Sequence, residues 1–176
     1  MKANITYKSV LADCNTVAER NKLFNSLDDQ SKRLEIAWEA LQLVLEGQIS
    51  ASSGSYYWSL KLHDIADTCK TSKELQKKLN KDLSDCKVCQ RGLMMVSQIR
   101  LGNDISPSDT RKDDGTSRNI KGFSIEDFYE METFYEVARK DYPFTPRTNE
   151  KLANICCNIL VNGNFNPKDK TKYIEV

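Results

Sequence analysis

A chain of 176 residues is long enough to bury a single hydrophobic core without disulfide or metal staples. With 39% hydrophobic and 29% charged residues, and seven Tyr, six Phe and two Trp, it is too apolar and too aromatic for a disordered chain. Lys plus Arg number 26 against 25 Asp plus Glu, a net charge of +1 that supplies no long-range field to attract nucleic acid.

Met1-Lys2-Ala3-Asn4-Ile5-Thr6 lacks the apolar core of a signal peptide, and no stretch approaches a membrane span. The expectation is a cytoplasmic protein with no membrane contact, whose six cysteines are reduced. Ile5-Thr6-Tyr7 fits a short strand and Val10-Leu11-Ala12 a helical turn. Residues 17–25 read as a short helix. Ser26-Leu27-Asp28-Asp29 then offers capping groups and early negative charge, and Leu34, Ala37, Trp38, Leu41, Val44 and Leu45 follow helical spacing up to a C-terminal cap at Gly47.

Ala51-Ser52-Ser53-Gly54 breaks this pattern. Trp58, Leu62, Ile65 and Cys69 resume it, and Thr71-Ser72-Lys73-Glu74 caps a helix carrying Leu75, Leu79 and Leu83. Residues 86–101 are apolar on more than one side and read as one central helix. Residues 102–122 are polar apart from Ile105 and Ile120, too long a stretch for an ordinary connection. Ser124 and Asp127 mark the start of a helix with Phe123 stapled to Phe128 and an inner face of Phe128, Met131, Tyr135 and Ala138. Pro143 and Pro146 bracket a turn. A last helix runs from Thr148, with Leu152, Ile155, Cys156 and Ile159 inward, to Asn162-Gly163. The fold class that follows is all-α: a single-domain bundle of six to seven amphipathic helices over residues 1–167, with a loosely held tail at 168–176.

Chemistry-bearing motifs are few. Cys86-Lys87-Val88-Cys89, placed on a helix, sets two thiols on one side. Zinc would need His63, the only histidine, with Cys69, Cys86 and Cys89, a set that matches no standard spacing. The plainer reading packs the thiols in the core. His63 with Asp64 and Asp67 has the composition of an acid–base pair but no adjacent nucleophile, and reads first as a surface ion pair. Glu126, Asp127, Glu130, Glu132 and Glu136 form an acidic run that reads as a solvated face, with Glu136 four residues before Lys140. Lys70, Lys73, Lys77, Lys78 and Lys81 form a basic stripe without interleaved aromatic residues, again a solvated face. No phosphate loop, nucleophile elbow or H-E-x-x-H occurs.

Cys86-x-Val88-Cys89-x-x-Gly92 before an apolar helix resembles a pattern in uncharacterised small proteins of bacteria and their phages. The run Leu152, Ile155, Asn158, Ile159, Asn162, Gly163, Phe165 and Pro167 is similar to their C-terminal segment, while Gln90 stands where they usually have alanine. The resemblance implies a bacterial or phage cytoplasmic protein and carries no activity with it.

The leading expectation is a non-enzymatic binding or regulatory protein that meets a protein partner through Arg111, Lys112 and Arg118 of the long loop and through Tyr129 and Tyr135 of the following helix, with no cofactor. The alternatives are a metal- or thiol-dependent enzyme centred on Cys86 and Cys89, and a small-molecule-binding protein with an aromatic pocket at Tyr56, Tyr57 and Trp58.

Overall fold

The computed structural model describes residues 1–52, 60–111 and 120–176. Among them, seven α-helices carry the fold: α1 (Val17–Ser26), α2 (Asp29–Leu45), α3 (Leu60–Asp67), α4 (Ser72–Lys81), α5 (Gln90–Arg100), α6 (Ile125–Glu136) and α7 (Asn149–Asn162). The expected all-α, single-domain fold is what forms. Four two-residue strands add two small pairings. β1 (Lys2–Ala3) runs antiparallel to β4 (Ile174–Glu175), and β2 (Ser50–Ala51) runs parallel to β3 (Lys87–Val88).

The helix starts are set by short polar side chains on extended backbone. Thr16, Asp28, Thr71, Ser124 and Thr148 each accept a hydrogen bond from the backbone N–H three residues on. At Ser124 the bond is reciprocated by Asp127, and the Phe123 and Phe128 rings lie 5.3 Å apart, completing the expected staple. At α4 the reciprocal bond from Glu74 reaches the Lys70 N–H instead. α2 ends at Gly47 (φ +69°), where the Gln48 N–H returns to the Leu43 carbonyl and the Gly47 N–H to Val44.

α2 is the hub, packed on α7, α5 and α1, while α4 covers α5 and α6 bridges α5 to α7. Ile36, Ala37, Ala40, Leu41, Leu43 and Val44 are buried along α2; a fully buried Leu or Val contributes about 1.5–3 kcal/mol. α7 is buried on every side from Lys151 to Leu160, so polar Asn154 and Asn158 lie inside with the apolar residues.

Four sequence expectations need correction, the first being the short strand expected at Ile5-Thr6-Tyr7, which forms at Lys2–Ala3 instead because that pair meets Ile174–Glu175. Cys86 and Cys89 do not share a helix: β3 intervenes, and Cys89 precedes the first turn of α5. The parallel pairing to β2 claims this stretch because Cys86 and Val88 carbonyls accept the Ser50 and Ser52 N–H groups, 3.1 and 2.8 Å. Ala138 is exposed, because α6 stops at Glu136 and Phe134 takes its place inside. The 168–176 tail is held by β4, with Ile174 buried, and not loose.

Buried polar groups position the loops. Glu35 accepts hydrogen bonds from the Tyr7 hydroxyl, the Ser9 hydroxyl and the Val10 N–H, tying the N-terminal segment to α2. Arg33 donates to the carbonyls of Gly122 (2.6 Å) and Gly163 (2.9 Å), drawing the ends of the 102–122 stretch and of α7 onto α2. The Gln98 side-chain oxygen accepts from the Asn103 side chain and the Lys121 N–H, so the stretch leaves and re-enters the fold at one point.

Candidate functional site

α6 presents two faces of different chemistry. Inward lie Phe128, Met131, Phe134 and Tyr135. Outward, at four-residue steps, lie Ile125 (48% exposed), Tyr129 (55%), Thr133 and, at the helix cap, Val137 (49%). Beside them runs an open groove of about 850 Å³ between α6 and the 165–170 segment. Glu126 and Glu130 line its acidic side, Arg139, Lys168 and Lys170 its basic side, and Tyr129, Thr133 and Phe134 its base.

The base is rigid. Phe134 meets Tyr142 and Phe165 edge-on, with ring centroids 4.8 and 5.2 Å away. The Arg139 guanidinium lies 4.2 Å from the Phe134 centroid and the Lys170 ammonium 5.1 Å. Lys170 also pairs with Asp141 at 3.2 Å, and its hydrogen bond is the main cause that holds the Asp141 carboxyl below its ordinary value.

The groove's basic wall is fixed by an asparagine ladder on α7. Asn154 donates to the Thr171 carbonyl and accepts from the Tyr173 N–H; Asn158 donates to the Asn166 and Asp169 carbonyls and accepts from the Asn166 N–H. Asn162 donates to the Asp169 carboxylate at 2.7 Å. Four-residue spacing puts all three amides on one helical edge, where Asn154 and Asn158 bond the backbone of the returning segment and Asn162 the Asp169 side chain. Burial raises the Asp169 carboxyl, but hydrogen bonds from Tyr173, Asn162 and Thr171 outweigh it and bring it down to about 2. A depressed carboxyl contributes stability that is present above its unfolded value and lost as pH falls through its folded one. Acid titration of wild type should therefore show stability falling between about pH 4 and pH 2 that Asp169→Asn lacks, worth about 1 kcal/mol after solvent screening. Identical acid limbs in melting experiments would count against the ladder's role.

Lys151 lies beneath this wall, fully buried. Its ammonium donates to the Val137 carbonyl at the end of α6 (3.2 Å) and lies 5.5 Å from the Tyr142 centroid. Burial, then the nearby Arg139 charge, lower its pKa. A base lowered in the fold carries its full penalty at neutral pH and is relieved as pH rises through its folded value toward that of an ordinary lysine. Lys151→Met should stabilise the chain by about 1 kcal/mol at pH 7 and remove that alkaline rise. A destabilised Met variant would show that the amine's hydrogen bond outweighs its burial.

The second cluster lies at the start of α5. Glu132 reaches from α6 to accept the Arg91 N–H at 3.1 Å and the Cys89 thiol proton. Burial pushes the Glu132 carboxyl and the Cys89 thiol up, and does the same to Cys86 and Cys156; Cys157 is raised to about 12. Thiolates are the nucleophiles and metal ligands, so these sulfurs are held in their unreactive form. Among the described residues, no three His, Cys, Asp or Glu side chains gather as a metal would require. His63 sits half-buried on α3, Cys69 is buried just beyond it, and none of the six cysteines forms a disulfide.

Of the residues expected to bind, Tyr129 lines the groove, while Tyr135 is buried and donates to the Ser52 carbonyl at 2.8 Å. Arg111 ends a short 3-10 turn (Asp109–Arg111). Lys112, Arg118 and the Tyr56, Tyr57, Trp58 group lie outside the described residues. Arg139, Lys168 and Lys170 were missed. Their signal was the cation density flanking Phe134 and Phe165, hidden by reading 168–176 as a tail. Among the described residues, no helix is long and apolar enough to cross a membrane. No protein-family profile, no curated protein and no solved structure matches the chain.

Proposed function

We propose that this chain is a non-enzymatic binding or regulatory protein of the cytoplasm that engages a protein through the outer face of α6 and the adjoining groove. The observation that carries this reading is the exposed Ile125, Tyr129, Thr133, Val137 stripe, bordered by carboxylates on one side and cations on the other. Exposed apolar surface rimmed by charge is the composition of a protein contact. The 102–122 stretch, tied at its base through Gln98 and Arg33, is the second contact element. The likeness to bacterial and phage proteins supports one version, a phage-encoded antagonist of a host system.

A photo-crosslinking amino acid at position 129, compared with one at the exposed α1 position Lys22, tests this. The expected result is a discrete protein adduct from position 129 and none from position 22. Matching adduct patterns from both would remove the assignment.

A further inference from the structure

We infer that the basic end of the groove, where Arg139 and Lys170 meet on the Phe134 ring above buried Lys151, binds a phosphate monoester dianion. The inference does not depend on what meets the outer face of α6. Three cations gather on one aromatic pair. Arg139 and Lys170 lie 4.2 and 5.1 Å from the Phe134 centroid, and Lys170 and Lys151 lie 5.6 and 5.5 Å from the Tyr142 centroid. The two rings are themselves 4.8 Å apart.

These charges are incompletely neutralised. Among the described residues, Asp141 is the one carboxylate in salt-bridge contact with the three cations, and it reaches Lys170 alone. Asp169, on the neighbouring segment, accepts from Tyr173, Asn162 and Thr171 instead. The C-terminal end of α6 adds about half a negative charge, and its Val137 carbonyl accepts from the Lys151 ammonium. Exposed Lys140, Lys168 and Lys172 flank the site in sequence, so residues 139–141 and 168–172 with Lys151 hold six cations and two carboxylates. Glu126 and Glu130 line the same groove but sit about 16 and 10 Å along the helix axis from Val137, beyond a Debye length of about 8 Å.

Buried Lys151 sets this patch apart from an ordinary basic surface. An ammonium held out of water against one carbonyl, with no carboxylate beside it, destabilises a fold. Uncompensated charge of that kind gathers where a ligand brings the opposite charge. The Arg139 guanidinium adds repulsion, which a dianion seated between Arg139 and Lys170 would offset. Arg139 offers a planar fork to two phosphate oxygens and Lys170 a point charge to a third, while a carboxylate would satisfy only one of the two cations. Lys73 and Lys77 on α4 are exposed lysines with no buried cation beneath them, which makes them the control.

Side-chain NMR of the full chain, titrated with inorganic phosphate in chloride buffer of fixed ionic strength, tests this at about pH 7.5, where phosphate is mostly dianionic. The Arg139 and Lys170 signals should shift with a Kd on the order of 1 mM. Arg139→Gln with Lys170→Gln should weaken binding about tenfold or more, and Lys73→Gln with Lys77→Gln should leave it unchanged. Lys151→Met should weaken it severalfold although that variant is the more stable one. A capped peptide with one phosphoserine separates the sources: tighter binding than inorganic phosphate assigns the site to a phosphorylated segment, and equal affinity assigns it to a small phosphate. No shift at Arg139 and Lys170 up to roughly 50 mM phosphate overturns the inference. So does a folded Arg139→Gln, Lys170→Gln variant that binds as wild type does, or equal weakening by the α4 pair.

Discussion

Asn158→Ala is expected to destabilise the chain by about 4 kcal/mol, lowering the thermal midpoint by roughly 8–15 °C. The side chain is fully buried and makes three hydrogen bonds to the backbone of 166–169, at 2.9, 3.3 and 2.8 Å. Alanine leaves the Asp169 carbonyl and the Asn166 N–H without their partner and the Asn166 carbonyl with the Asp169 N–H alone, and each buried unmade bond costs about 1–3 kcal/mol. It also frees the wall that carries Lys168 and Lys170. Asn162→Ala removes a more exposed amide from the same ladder and should cost no more than about 1 kcal/mol. Chemical denaturation of the pair decides the matter; equal costs would mean that the ladder is not what holds the segment.

Gly122→Ala should cost about 3 kcal/mol. Gly122 has φ +84°, a region that side chains with Cβ adopt at a penalty. A Cβ there would also stand 2.3 Å from the Asp29 carbonyl oxygen and 2.9 Å from the Arg33 N, so backbone has to move. The movement pulls against the Arg33 bond to the Gly122 carbonyl. Gly47 provides the control. It shares the left-handed conformation (φ +69°) but has nothing within 4 Å of an added Cβ, so Gly47→Ala should cost only about 1 kcal/mol. Comparable losses at the two positions would show that close approach adds nothing.

The sequence was most legible where local chemistry and packing agree. α2, α4, α6 and α7 announce themselves through a cap residue and an N3 partner or apolar stripe, joined in α2, α6 and α7 by a closing glycine or proline turn, and each forms within a few residues of its expected bounds. Reading failed where a distant partner decides the outcome. Lys87 and Val88 leave the helical pattern because Ser50 and Ala51, some 37 residues earlier, offer a parallel partner. Asn154, Asn158 and Asn162 have the spacing of a helix edge, but nothing local says that the C-terminal segment will fold back to bury it. The same blindness turned the strand at Ile174 and Glu175 into a tail and concealed the basic wall of the groove. Tyr135 has the spacing of the inner face and was nevertheless expected to bind; the structure keeps it inside, with its hydroxyl on the Ser52 carbonyl, while Tyr129 is exposed.

Covalent footprinting in native extract reads whether the outer face of α6 is covered by a protein. Carboxyl labelling of Glu126 and Glu130, amine labelling of Lys168 and Lys170, and oxidation of Tyr129 would be compared with the dilute purified chain. Protection at these five positions in the extract, with unchanged labelling at Lys22 and Glu46, is the expected result. Equal labelling of the α6 face in both samples, or protection centred on Lys22 and Glu46, would contradict it.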